Sequence, residues 1–133
     1  MNLHLDLDSE VPIYQQIRDR IVEAIARGEA VEGDPLPSTR QLAADFGINF
    51  HTVNKAYDLL KREGVIRVNR KSGAVVRRDP SSGPPEPGFA ADWEERALVL
   101  LAEATVHGLD RDEVVRRCQA LLARFRAEEK TTS

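Results

Sequence analysis

Residues 36–66, LPSTRQLAADFGINFHTVNKAYDLLKREGVI, constrain the fold of this chain more than any other stretch. They read as two short helices on either side of a glycine turn, with a second glycine and a β-prone run behind. Ser38 is placed to N-cap the first helix, and Gln41 three residues on completes a capping box. Leu42, Ala43 and Phe46 then fall on one helical face. Gly47 breaks that helix because it is free to take φ > 0, and Asn49 is placed to cap the next. The second helix carries Val53, Ala56, Tyr57 and Leu60 at i, i+3, i+4, i+7, the spacing of a buried stripe. Its other face shows His51, Thr52, Asn54, Lys55 and Asp58.

Two helices meeting through a short glycine turn form a helix-turn-helix unit. In that unit the second helix enters the major groove of DNA and reads base edges from its N-terminal half. Asn49, His51, Thr52 and Asn54 are the short or planar hydrogen-bonding groups such reading needs. A helical hairpin with a solvated polar face shows the same pattern, so the flanks decide between the two. After Gly64, residues 65–68 and 74–76 are β-prone runs around Asn69, Arg70, Lys71, Ser72 and Gly73, a hairpin signature. A basic hairpin directly behind a recognition helix makes a winged helix-turn-helix. Such a wing sets Arg70 and Lys71 against phosphates or the minor groove, and Gly73 allows close backbone approach.

Charge is segregated in the same sense. The chain has 133 residues and a net charge of −3. Residues 1–34 hold three arginines against eight acids (−5), residues 35–78 nine cations against three acids (+6), and residues 79–133 seven against eleven (−4). The cationic surplus therefore sits on the reading head and wing, the electrostatic footprint of a DNA binder.

Other chemistry finds little support. His4, His51 and His107 have no metal-ligand spacing among themselves or with Cys118, the one cysteine, so no metal is expected. No phosphate-cradling glycine loop, serine elbow or pair of catalytic carboxylates occurs; neither an enzyme nor a cofactor is expected. The chain shows no apolar run of spanning length and no signal peptide, which points to a cytoplasmic, nucleoid-associated protein without a membrane partner.

Along the chain, Leu3, Leu5 and Leu7 alternate with polar residues, as in a short strand or an extended arm. Pro12 suits the first turn of a helix whose stripe is Ile13, Ile17, Ile21, Ala24 and Ile25, ending at Gly28. This helix is scaffold; Arg18 and Arg20 on it are within reach of a phosphate role but are read as solvated. Residues 29–37, with Gly33, Pro35 and Pro37, form a rigid connection. The run 79–88, DPSSGPPEPG, holds four of the seven prolines and reads as a stiff linker. Beyond it, Trp93, Ala97, Leu100, Leu101 and Ala104 mark one amphipathic helix. Gly108 stops it and Asp110 caps another, with Glu113 at the capping-box position. The stripe of that helix is Val114, Cys118, Leu121, Leu122 and Phe125. Two short helices cannot enclose a core alone; their faces could pack on the first domain, but the proline linker argues for separation, and a homodimer is expected. The expected plan is mainly α with a small β-wing. Residues 1–78 form the winged helix-turn-helix, 79–90 a linker, 91–128 a helical dimerisation hairpin and 129–133 a disordered tail.

The string LPSTRQLAADFGIN, HTVNKAYDLLKREGVI, a basic loop and a Gly-x-hydrophobic strand resembles the DNA-binding domain of GntR-type bacterial repressors. The upstream PIYQQIRDRIVEAIARGE and the brief C-terminal region resemble the small YtrA-like branch. The resemblance implies a repressor that binds a palindromic operator in double-stranded DNA as a homodimer. In that branch such proteins often control neighbouring transporter operons and their own synthesis. It implies phosphate or guanine contact for Arg40 in the P-S-x-R motif, phosphate contact for Asn49 and Thr52, and a wing tip at Gly73. Ser38 and Lys55 complete the expected contact set. Two departures stand out: Phe50-His51 replaces the branch's usual Pro-Asn, and Ser72 replaces a wing glycine. Phe50 is read either as packing beneath the turn or as meeting a thymine methyl. No effector is named by the sequence. The alternative from a different class is a winged-helix module that binds protein rather than DNA.

Overall fold

The structure, a computed structural model, describes residues 2–70 and 73–125. It divides into two compact units, Met1–Ser82 and Gly83–Ser133.

In the first unit, α1 (Ile13–Ala26) starts after Pro12, whose carbonyl accepts from the Gln16 N–H at 3.1 Å. It buries Ile17, Ile21, Ala24 and Ile25 against α3 (Phe50–Arg62), with Ile13 half-buried beside them. Gln16 is buried on the same face and its amide is fully used. It accepts from the Asp6 N–H at 2.8 Å and donates to the carbonyls of Asp6 and Val11 at 2.9 and 2.8 Å. These bonds pin the N-terminal segment as an extended arm rather than a strand. Leu3 and Leu5 pack on the core, whereas Leu7 lies beyond the anchor and stays exposed. Arg18, read as solvated, instead donates to Glu63 at 2.9 Å and ties α1 to the end of α3.

α2 (Thr39–Phe46) is capped by Ser38, whose Oγ accepts from the Gln41 N–H at 3.0 Å. The reciprocal half of the expected capping box does not form. The Gln41 amide donates to Asp45 at 2.8 Å, an i,i+4 partner that an exposed side chain reaches more easily than the cap backbone. Gly47 takes φ 66 and ends the helix in the left-handed region. Asn49 then caps α3 by accepting from the His51 N–H at 2.8 Å. Val53, Ala56, Tyr57 and Leu60 are all buried, as the periodicity predicts.

Strands β1 (Ile66–Asn69) and β2 (Gly73–Val76) pair antiparallel, from Ile66 opposite Val76 to Asn69 opposite Gly73. The connection before α2 is more than a rigid loop. Gly33 donates to the Val76 carbonyl, Val76 to Asp34 and Leu36 to Ala74, each at 2.9 Å, and Pro35 bridges Val75. Residues 33–36 thus line the free edge of β2, and Pro35 needs no ladder donor at this edge.

Residues 79–82, assigned to the linker from their composition, are tied to the first unit. Buried Asp79 accepts from the Glu32 N–H at 2.7 Å and from the Ser81 N–H and hydroxyl at 2.6 Å. Ser82 in turn donates to Glu32 at 2.7 Å. The Ser81 hydroxyl, then the backbone donors, hold the Asp79 carboxyl below its ordinary range.

The second unit contains α4 (Phe89–Val106) and α5 (Arg111–Ala123). α4 begins at Phe89, inside the stretch expected to be linker. Asp110 caps α5 by accepting from the Glu113 N–H at 2.9 Å, while the Glu113 carboxylate turns to Arg117 at 2.7 Å. Among the described residues, none in either helix is buried. Residues 129–133, expected as a tail, and the last residues of the hairpin expected to reach 128 lie outside the described residues.

Candidate nucleic-acid interface

The reading face is assembled where α2 and α3 begin. Tyr57 links them from inside, its phenol donating to the Pro37 carbonyl at 2.7 Å, just ahead of the Ser38 cap. Burial pushes the Tyr57 phenol upward, so it remains a neutral donor. With Val53, Ala56 and Leu60 also buried, the rotation of α3 about its axis is fixed, and its polar side has one orientation to solvent.

On that side His51 and Lys55 are exposed, and Thr52 and Asn54 are half-buried. Ser38 and Asn49 each spend an oxygen on a cap, but the Ser38 O–H and the Asn49 NH2 remain donors in chemistry. Neither α2 nor α3 has an acid in its first turn. The partial positive charge of each N-terminus is therefore uncompensated locally, which favours phosphate. Asp45 accepts from Gln41 and Glu63, at the far end of α3, pairs with Arg18, while Asp58 on the polar face of α3 is exposed.

Three expected contact residues form one cluster. The Arg40 guanidinium carbon lies 4.7 Å from the Phe50 ring centroid, and the Phe50 and His51 rings stand 4.2 Å apart at 31°. Phe50 is half-buried and packs on the core, so its place is beneath this cluster. Lys55 is held apart from the cluster. Its Nζ sits 4.1 Å from the Tyr14 ring centroid, against α1. Tyr14 did not stand out in the sequence because its neighbours Ile13 and Ile17 account for the helix as core. Lys55 one turn beyond His51 was the available signal, since a cation beside an aromatic on a packed neighbour is a common pairing.

On the wing, Arg67 and Arg70 are exposed, as is Val68 between them at 57%. Gly73 takes φ 72 where it closes the hairpin opposite Asn69. Lys71 and Ser72, both expected wing contacts, lie outside the described residues. Arg77 buttresses the base of the wing by donating to the Gly64 carbonyl at 3.0 Å. Among the described residues no cluster of His, Cys, Asp and Glu is able to hold a metal ion, and no helix is long and apolar enough to cross a membrane.

The residues expected at a second interface lie on α4 and α5, except Phe125, which follows the end of α5. Trp93, Leu100, Leu101, Leu121, Leu122 and Phe125 are exposed, with Cys118 exposed beside them. Ala97, Ala104 and Val114 are half-buried.

Comparison with known proteins agrees with this architecture. The family profile described as "Bacterial regulatory proteins, gntR family" matches residues 13–76. The HTH-type transcriptional repressor YtrA of Bacillus subtilis (strain 168) is 32% identical over 112 residues, spanning 84% of this chain and 85% of that protein. Among solved structures, YtrA from Sulfolobus acidocaldarius, a GntR-family transcription factor, is 42% identical, with a TM-score of 0.58 over 73% of this chain and 97% of that one. A transcriptional antiterminator from Listeria monocytogenes EGD-e is 25% identical, with a TM-score of 0.81 over 91% of this chain and 90% of that one.

Proposed function

The chain belongs to the GntR family of bacterial regulatory proteins and is a DNA-binding transcriptional regulator, and from that premise we propose that it is a repressor acting as a homodimer on a palindromic operator. The observation that carries the DNA-reading part is the orientation of α3. Its apolar stripe is wholly buried, and His51, Thr52, Asn54 and Lys55 are left on the other side. His51 and Asn54 lie about one turn apart, the spacing at which two side chains reach successive base edges. Ser38, Arg40, Asn49 and Thr52 at the two helix starts, and Arg70 with Lys71 on the wing, hold the flanking phosphates.

Dimerisation is supported by the second unit, whose large apolar side chains are exposed among the described residues. A second copy of the hairpin supplies that cover at lowest cost, since two-fold pairing presents each stripe to its equal. Two heads joined this way read two half-sites related by the same two-fold. The B. subtilis relative is described as a repressor, and occlusion of a promoter is the simplest action for a protein of this plan. The site of action is the nucleoid, in the cytoplasm.

The test is selection of binding sites from random duplexes with the full chain, followed by mobility shift on the selected sequence. An inverted repeat with half-sites about one helical turn apart, or a multiple of it, is expected. Recovery of single, unrepeated sites, or no enrichment at all, would overturn the proposal.

A further inference from the structure

Phe50 is the first residue of α3, and its ring is in contact with both helices of the reading head. One part of the side chain packs on the hydrophobic core, which fixes the ring. The rest carries two polar groups: Arg40 from α2 over the ring at 4.7 Å, and His51 from α3 beside it at 4.2 Å. An exposed arginine held only by water samples many rotamers, and ordering it is a cost of binding. A guanidinium resting on an aromatic face is ordered in advance. It keeps its N–H edge free, and that edge makes the bidentate contact with guanine O6 and N7.

We propose that Phe50 is a positioning residue for base recognition. Its ring sets Arg40 and His51 in register with each other, so that the contact the resemblance implies for Arg40 is made by a side chain ordered in advance. The proposal rests on the reading of α3 as the recognition helix. It does not require Phe50 itself to touch DNA.

The experiment compares wild type, Phe50→Leu, Phe50→Tyr, Arg40→Ala and the double variant Arg40→Ala/Phe50→Leu, all as full chains. Each is measured on the selected operator and on a shuffled duplex of equal composition. Leucine keeps apolar bulk beneath the turn and removes the aromatic face; tyrosine keeps both. Phe50→Leu is expected to weaken operator binding about threefold to tenfold, with shuffled duplex within about twofold of wild type. Phe50→Tyr should restore discrimination. The double variant should lose less than the sum of the two single losses, because Arg40 and Phe50 act as one unit and only the His51 part of the Phe50 effect remains. Independently of DNA, the Arg40 side-chain protons of the free protein should be shifted upfield by the Phe50 ring current.

A purely structural Phe50 gives a different pattern: a lowered melting midpoint, additive losses in the double variant, and equal losses on both duplexes. That pattern overturns the proposal. Should Phe50→Leu fail to fold, the ring-current shift decides, and Arg40 protons at random-coil positions overturn it. A wild type that discriminates, paired with a Phe50→Leu that discriminates equally, overturns the role of Phe50 alone. A wild type with no sequence preference overturns the DNA-reading premise and this proposal with it.

Discussion

The two units of this chain use their apolar residues in opposite ways. In the first, the stripes of α1, α2 and α3 and the inner side of β2 close on one another, and Ile17, Val53, Leu60 and Val76 lose all contact with water. In the second, Trp93, Leu98, Leu100 and Leu122 are each more than half exposed. The sequences are both amphipathic and helical, so propensity does not separate them. What differs is closure. Three helices and a hairpin enclose a volume, whereas two helices present surfaces. The first unit is a finished fold, and the second leaves its apolar faces exposed among the described residues.

The strongest way to break that comparison is to remove the second unit. A chain ending at Ser82 is expected to fold, since Asp79 and Ser82 complete its own hydrogen bonds. It should be monomeric and lose about 10²–10⁴-fold in operator affinity, the factor by which linking two weak sites raises avidity. Mobility shift and sedimentation check both points. An operator affinity equal to that of the full chain would mean that the hairpin does not couple the heads.

Paired leucine substitutions sharpen the contrast. Leu60→Ala opens a cavity in a closed core and should cost about 2–5 kcal/mol at any protein concentration. Leu100→Ala, in the unclosed unit, should act only through assembly, so its effect on the melting midpoint should shrink as the protein is diluted. Melting curves at several concentrations separate the two cases. A concentration-independent loss from Leu100→Ala would place that side chain in an intrachain core.

Within the first unit, reading and holding can be separated next. His51→Ala or Asn54→Ala should cost about 1–3 kcal/mol on the operator and flatten base preference. Arg70→Ala should weaken all duplexes alike and reduce the slope of log K against log salt by about 0.9. Salt titrations on operator and shuffled duplex test both expectations. Equal loss on both duplexes for His51→Ala would make α3 a phosphate clamp.

How much of this was legible beforehand follows the range of the interactions. The α3 stripe and the Ser38 and Asn49 caps are written within a few residues of each other, and periodicity with cap chemistry finds them. The edge lent to β2 by residues 33–36 is a contact between segments some forty positions apart. Its prolines and glycine read locally as a loop. The half-formed capping box at Ser38 fails for a related reason: Gln41 has two partners in reach, and spacing does not rank them. Asp79 sits in a proline-rich run whose composition says linker, while its carboxylate answers donors on Glu32 and Ser81. The Arg40–Phe50–His51 cluster needed the turn geometry that brings the start of α2 onto the start of α3.

Asp79 gives the smallest expected effect and tests where the finished unit ends. Its carboxyl is held below the ordinary range chiefly by the Ser81 hydroxyl and then by backbone donors, so the folded state favours the ionised form. A group with a depressed folded pKa stabilises above its unfolded value, about 3.9, and that stabilisation is lost as pH falls through the folded value. Asp79→Asn keeps one acceptor and removes the charge. It should cost about 1 kcal/mol at neutral pH, in the range of a single hydrogen bond. The gap between wild type and variant should stay constant down to about pH 5 and close below about pH 4. Denaturant unfolding of the chain ending at Ser82, across that pH range, measures it without interference from the hairpin. A gap that persists unchanged at the acid end would show that the Asp79 charge contributes nothing, and that residues 79–82 belong with the linker after all.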